Sequence, residues 1–283
     1  MSERQSELQS LHETFKIREK EAISQPFIPE DAYLCVRLDG IHHSKQFLKN
    51  HLEYPAYNYA LKKSIQDVHG FMRTVFDRRY PENLVCACSF TDEVSFIFLN
   101  TIKNEKYAQR SMKVCTTLSG NLSAAMTLDV AKHESTQVSG LLAFDARPIY
   151  LNDVNDIVSY VRHRYLLASG QAFWKVLRLR DYPGWETGEI RANYDHARAL
   201  VEENGWAEEA EKIRNSFRIY LPQFDLEATT KKHDIPTWNQ RIYKLIEINP
   251  TDTYCTDRKL GEDIAELFDE LRVPYSFTNI ILG

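Results

Sequence analysis

The sequence is missing the features that announce several common chemistries. It has no glycine-rich phosphate loop, no serine nucleophile elbow and no cysteine–histidine spacing for zinc. No apolar run approaches the roughly 18 residues of a membrane span, so no membrane partner is expected. The N-terminus is polar and charged, which reads as no signal peptide. Repeats and low-complexity tracts are absent. So is any excess of positive charge: the net charge is −5, and any nucleic-acid binding needs a local basic patch. Cysteines are few and odd in number, five in all, which points to reduced thiols and a cytoplasmic setting. Cys86 and Cys88 lie two apart in a strand-like run and therefore face one side. Buried core thiols are expected there rather than a metal pair.

What is present is ordinary globular material. The 283 residues, 43% hydrophobic and 27% charged, suffice for one large or two modest domains with a real core. Residues 1–25 read as a charged helical arm. "AYLCVRLDG" (Ala32–Gly40) is rich in β-formers and ends on an Asp-Gly turn signal. A helix is expected from about Pro55 to Arg79, where Ala60, Leu61, Ile65, Val68 and Met72 recur near a 3.6-residue period. "CACSFTDEVSFIFLN" (Cys86–Asn100) reads as a hairpin, with strands Leu84–Phe90 and Val94–Leu99 around a tip at Thr91–Glu93. A second helix follows from about Glu105 to Val130, and "GLLAFDARPIYL" (Gly140–Leu151) is a further strand. The order β-α-β-β-α-β is the split unit of a ferredoxin-like fold. The expected class is α+β: a palm-like domain over residues 1–151, then a mainly helical C-terminal region over 152–283.

That topology gathers charge. In a ferredoxin-like sheet of order 4-1-3-2, strands one and three are antiparallel neighbours. The end of the first carries Asp39, and the start of the third carries Asp92 and Glu93. Adjacent carboxylates repel unless water or a cation screens them. Hard oxygen ligands on a rigid sheet suit Mg²⁺, and two such ions can serve phosphoryl chemistry. An ordinary polar turn beside an Asp-Gly turn remains the plainer reading.

The motifs so placed resemble a known family. "VRLDGIHHSKQF" resembles an R-x-D-G-R-x-F-x-x-F stretch, "FTDEVSFIF" an S-D-E-x-S-F-x-F hairpin, and "FDARPIYL" with "DIVSYVRHR" an F-D-x-R strand and its following helix. "DIPTWNQR" (Asp234–Arg241) is similar to a late segment of bacterial-type members. The family is that of the tRNA-His guanylyltransferases, the 3′–5′ nucleotide-adding polymerases, with this chain as a divergent bacterial-type or phage-type member. The resemblance implies a nucleotidyltransferase palm with two Mg²⁺ ions that adds a nucleotide, from GTP or another NTP such as ATP, to the 5′ end of tRNA or another RNA. It implies metal ligation by Asp39, Asp92 and the Gly40 carbonyl, with Glu93 assisting catalysis. Contacts to the nucleotide are expected from Arg37, His43, Ser44 and Thr91. Arg110 and Lys113, three apart on one helix face, are expected at the triphosphate, although a solvated face fits them too. Arg162 and Arg164 match family arginines and are expected to meet RNA phosphates, against a plain helix face. A homo-oligomer is also expected.

The chain departs from the pattern in places. Ile41 stands where the family has Arg, Thr91 where it has Ser, and "YPAY" (Tyr54–Tyr57) keeps only Pro55 of a K-P-N-D-like segment. "LLASGQAFW" replaces a His-and-Asn helix motif, leaving Ser169 and Gln171 near those positions. A weakened GTP preference is therefore expected. Two alternatives follow: a palm moved to another nucleotide product, or a catalytically retired nucleotide- or RNA-binding palm. Lys231, Lys232 and His233 form a further basic cluster. The four tryptophans, Trp174, Trp185, Trp206 and Trp238, are expected mainly in packing.

Overall fold

The computed structural model describes residues 3–25, 27–29, 32–43, 59–68, 84–98, 110–132, 141–191, 193–224, 243–248 and 259–264. In chain order they form α1 (Glu3–Ser24), β1 (Tyr33–Gly40), β2 (Leu84–Phe90), β3 (Glu93–Phe98), α2 (Ser111–Ala131), β4 (Phe144–Leu151), α3 (Val154–Leu179), α4 (Gly188–Arg191), α5 (Tyr194–Glu203), α6 (Ala207–Arg214), β5 (Arg218–Phe224) and β6 (Tyr243–Ile248). Residues 59–68 and 259–264 are also helical. Ser44, Tyr54, Tyr57, Lys231, Lys232, His233, Trp238 and the segment Asp234–Arg241 lie outside the described residues.

The six strands form one antiparallel sheet of order β4-β1-β3-β2-β5-β6. Its first four members stand in the order expected of a ferredoxin-like palm, and the α+β class is borne out. Successive residues of β1 point to opposite faces, as the two-residue strand period requires. Tyr33 and Cys35 enter a core with α1 and α3, while Leu34, Val36 and Leu38 enter a second core under α2. All of β2 is buried, and β3 is buried beyond Glu93, so their apolar runs do not alternate. Cys35, Cys86 and Cys88 are buried together on the α3 side, and Cys115 is buried on the other; all four are free thiols. Pro148 is tolerated in β4 because that strand is at the sheet edge.

Two features, one in the C-terminal region and one at the N-terminal helix, go beyond the sequence reading. β5 and β6 extend the palm sheet, so this region is not helical throughout. β5 was hidden because Pro222 demotes the run "RIYLPQF" as a central strand. The structure accommodates it by pairing β5 with β2 only from Arg218 to Tyr220, which leaves Pro222 past the last rung. The second feature is the use of charge by α1. That helix buries only Phe15 and Ala22. Ion pairs fasten it instead: Arg18 with Asp156, Glu7 with Arg162, and Glu19 with both Arg37 and Arg147. Among the described residues no helix is long and apolar enough to cross a membrane.

The helix that completes the site is α3. Asp153 caps it, accepting a 2.8 Å hydrogen bond from the Asp156 backbone N–H. Its apolar face, including Ile157, Tyr160, Val161, Ala168, Ala172 and Val176, packs against the sheet, and the same side buries His163, Arg164 and Lys175. Buried charges on a core-facing helix require partners.

Candidate active site

The β2–β3 hairpin turns through two residues, Thr91 and Asp92, closed by the pairing of Phe90 with Glu93. Thr91 has φ +49°, a left-handed conformation that costs an L-residue about 1–2 kcal/mol and is rare for a β-branched one. Three bonds hold the turn. The Thr91 hydroxyl donates to Asp92 Oδ1 at 2.8 Å, and its oxygen accepts from Lys175 Nζ at 2.6 Å. The Asp92 carbonyl accepts from the Gly40 N–H at 2.9 Å, which locks the tip to the end of β1.

The register does the rest. Asp39 lies opposite Glu93 on one side and opposite Asp145 on the other. Asp39, Asp92 and Glu93 line a cavity of about 180 Å³, together with Thr91, Arg164 and Lys175. Burial, then the charges of Glu93 and Asp92, push the Asp39 carboxyl up to about 6. Arg164 is buried and ion-paired with Glu93. Burial opposes its charge, but Glu93 overrides that and holds the guanidinium firmly protonated. Lys175 is buried with its Nζ 3.8 Å from Asp92 Oδ1 and 4.8 Å from the centre of the Phe90 ring. Burial draws its pKa down, while Asp92, Glu93 and Asp39 pull the other way.

The donor set suits a divalent ion. Asp39, Asp92 and the Gly40 carbonyl are hard oxygen donors, and Asp39 stands among like charges that a cation would relieve. Among the described residues no group of three or more His, Cys, Asp or Glu side chains is arranged to hold a metal. The geometry explains this: Glu93 is turned to Arg164, which leaves two carboxylates. Mg²⁺ commonly takes one or two protein carboxylates and fills its other positions with water and phosphate. The residues fit such an ion.

The other expected site residues scatter. Thr91 is in the cavity wall. Arg37 sits two residues before Asp39 with its Nη1 3.2 Å from Glu19. His43 is buried beneath the β1 end, its ring edge-on to Phe144 at 4.8 Å. It packs so closely that a Cβ built on Gly40 would lie 2.3 Å from His43 Nδ1, so position 40 must be glycine. Burial lowers the His43 pKa. Arg162 is spoken for by Glu7 through two contacts of 2.5 and 2.7 Å. Arg164, expected at RNA, has a side chain only 9% exposed and is ion-paired with Glu93.

Arg110 lies toward the other end of β4 from the carboxylates. Arg110 precedes α2 and bridges Phe27, whose carbonyl accepts from the Tyr150 hydroxyl. Tyr150 is six residues along β4 from Phe144, the partner of Gly40, a distance of about 20 Å at the strand rise. α2 also packs on the opposite face of the sheet from α3. The residue that sequence reasoning missed is Lys175. Its signal was weak: one lysine following the tryptophan of "QAFWK", on the stripe that α3 buries.

The family model described as tRNAHis guanylyltransferase matches residues 14–152, from within α1 to one residue past β4. Over these residues the chain is similar to the tRNAHis guanylyltransferase family. The match contains Asp39, Asp92 and Glu93, and it identifies a nucleotidyltransferase palm. A bacterial tRNAHis guanylyltransferase-like protein in complex with ATP has a similar fold, with TM-score 0.58 and 14% identity over 88% of this chain and 96% of that one. A bacterial tRNAHis guanylyltransferase-like protein in complex with GTP gives TM-score 0.52 and 14% identity, over 90% and 98%. At that identity the likeness concerns the fold. No curated protein matches the sequence significantly.

Proposed function

We propose that this chain adds a nucleotide from an NTP to the 5′ end of an RNA, tRNA being the expected class, in the 3′–5′ direction and with a divalent cation such as Mg²⁺. The observation that carries the reading is the convergence of Asp39, Asp92 and Glu93 at the hairpin tip of a palm sheet. Asp39 and Asp92, with the Gly40 carbonyl, would hold the cation. When bound, it would supply charge stabilisation at the transferring phosphoryl group. The chain's own part is positional. The Gly40–Asp92 backbone bond sets the spacing of the two carboxylates. Thr91 orients the Asp92 carboxylate, and Arg164 neutralises Glu93 by ion pairing. Gln171 and Trp174 of α3 form the outer wall, where a nucleotide would have a polar group and a ring to meet.

One observation favours a second reading, a palm moved to another nucleotide product. Arg164 and Lys175 intrude on the acidic pocket. The two readings separate in one assay. The protein is incubated with Mg²⁺, each α-labelled NTP in turn and RNA carrying a defined 5′ end. Label at the RNA 5′ terminus supports the first reading. Label in a small product that needs no RNA supports the second and refutes the first.

A further inference from the structure

We infer that Lys175 stands in for one of the two divalent cations, so that this chain's acidic site takes a single metal ion at Asp39 and Asp92. The inference deepens the proposed reading and rests on it. Lys175 is a fixed cation, not a surface lysine that happens to reach inward. Its side chain is 4% exposed, its Nζ lies over the Phe90 ring at 4.8 Å, and the same Nζ donates to Thr91 Oγ1 at 2.6 Å while standing 3.8 Å from Asp92 Oδ1. Thr91 in turn donates to the same Oδ1. One carboxylate oxygen of Asp92 is therefore already served by a hydroxyl donor and a nearby ammonium, which is the environment a second ion would otherwise provide.

Charge balance points the same way. The cavity is lined by three carboxylates, Asp39, Asp92 and Glu93, and by two cations, Arg164 and Lys175. Arg164 is committed to Glu93. The remaining pair, Asp39 and Asp92, faces one ammonium and retains a single negative charge. One divalent ion reverses that charge modestly. Two would put four positive charges beside a buried ammonium at close range, where like charges repel strongly in a medium less polar than water. An ammonium brings no Lewis acidity and no exchangeable water, so its role is to position Asp92 and neutralise charge.

The test counts ions rather than turnover. Free Mn²⁺ is followed by electron paramagnetic resonance as the full chain is titrated, with and without a non-hydrolysable NTP. Wild type, Lys175→Met, Lys175→Gln and Lys175→Arg are compared, and Asp39→Asn serves as the control that empties the site. The expected result is one protein-held Mn²⁺ for wild type and Lys175→Arg. A second should appear in whichever of Lys175→Met and Lys175→Gln remains folded. Two ions in wild type, counted beyond any held by the NTP alone, would overturn the inference while leaving the proposed metal site intact. One ion of unchanged affinity in the uncharged variants would overturn it as well. No Mn²⁺ bound by any variant would instead overturn the metal reading on which the inference rests.

Discussion

Replacing Arg164 separates a buried ion pair from an RNA-contacting surface residue, because the two roles predict stability changes of different size. The side chains of Arg164 and Glu93 are 9% and 19% exposed. Removing one partner of such a pair strands the other charge, which costs about 3–5 kcal/mol for a fully buried pair. Glu93 keeps some solvent and sits beside Asp39 and Asp92, so water recovers part of the cost while like-charge repulsion adds to it. The expected loss for Arg164→Ala is about 3 kcal/mol, measured by urea denaturation of the metal-free protein. A surface arginine that only met RNA would change stability by about 0.5 kcal/mol or less. Arg162→Ala is the internal comparison. Its pair with Glu7 is 25% and 33% exposed, and it should cost about 1 kcal/mol. Adding Mg²⁺ should recover part of the Arg164→Ala loss, since a cation bound only by the folded state stabilises it by mass action. If Arg164→Ala unfolds at the wild-type urea concentration and loses only RNA affinity, the ion pair does not exist in solution and the original RNA role returns.

Three further outcomes are expected. Asp39 has its carboxyl raised to about 6 in the fold, so the folded state binds more protons than the unfolded chain between about pH 4 and 6. Metal-free stability should therefore fall as pH rises through that window, and Asp39→Asn should flatten the fall; solvent screening at this partly open residue keeps the difference to about 1 kcal/mol. Identical pH profiles for the two proteins would refute the crowding of carboxylates. Thr91→Ala should cost about 1–3 kcal/mol by urea denaturation, because the positive φ remains while buried Lys175 loses an acceptor; Thr91→Ser should behave like wild type. Arg110→Ala and Lys113→Ala should leave the KM for NTP unchanged in steady-state assays, since α2 packs on the face of the sheet opposite α3, whose residues line the carboxylate cavity. A several-fold rise in KM would bring them back to the triphosphate.

The palm was legible because its signals are local and its topology is constrained. Asp-Gly at the end of β1, the acidic tip between two apolar strands and the two helical stretches allow few arrangements, and the expected sheet order brings Asp39 to Glu93. What escaped depends on partners distant in sequence. Arg162 and Arg164 look like a basic run along the chain, but α3 turns one toward Glu7 of the first helix and the other into the hairpin. Arg37 resembles a nucleotide contact until Glu19 arrives from α1. Lys175 has no local signature, since a single lysine becomes significant only when the helix carrying it is laid across Thr91 and Asp92. β5 was missed for a different reason: Pro222 argues against a strand locally, and only the short overlap with β2 removes the objection. Arg110 and Lys113, expected on one helix face, are parted by the start of α2, with Arg110 its extended N-cap and Lys113 in its first turn, and spacing cannot tell which face of a sheet that helix covers.

The central claim is that Asp39 and Asp92 together hold the cation for nucleotide transfer. The most direct test is single-turnover transfer of labelled nucleotide to the RNA 5′ end by wild type, Asp39→Asn and Asp92→Asn, each first shown to be folded by circular dichroism. Asparagine keeps the shape of either side chain and removes its charge. Loss of charge stabilisation at a transferring phosphoryl group commonly costs about 3–4 kcal/mol, or roughly 10²–10³ in rate. Both variants should fall by at least that factor, and the double variant should fall little further, because the two carboxylates act on one ion. Wild-type transfer by either folded single variant would contradict the account.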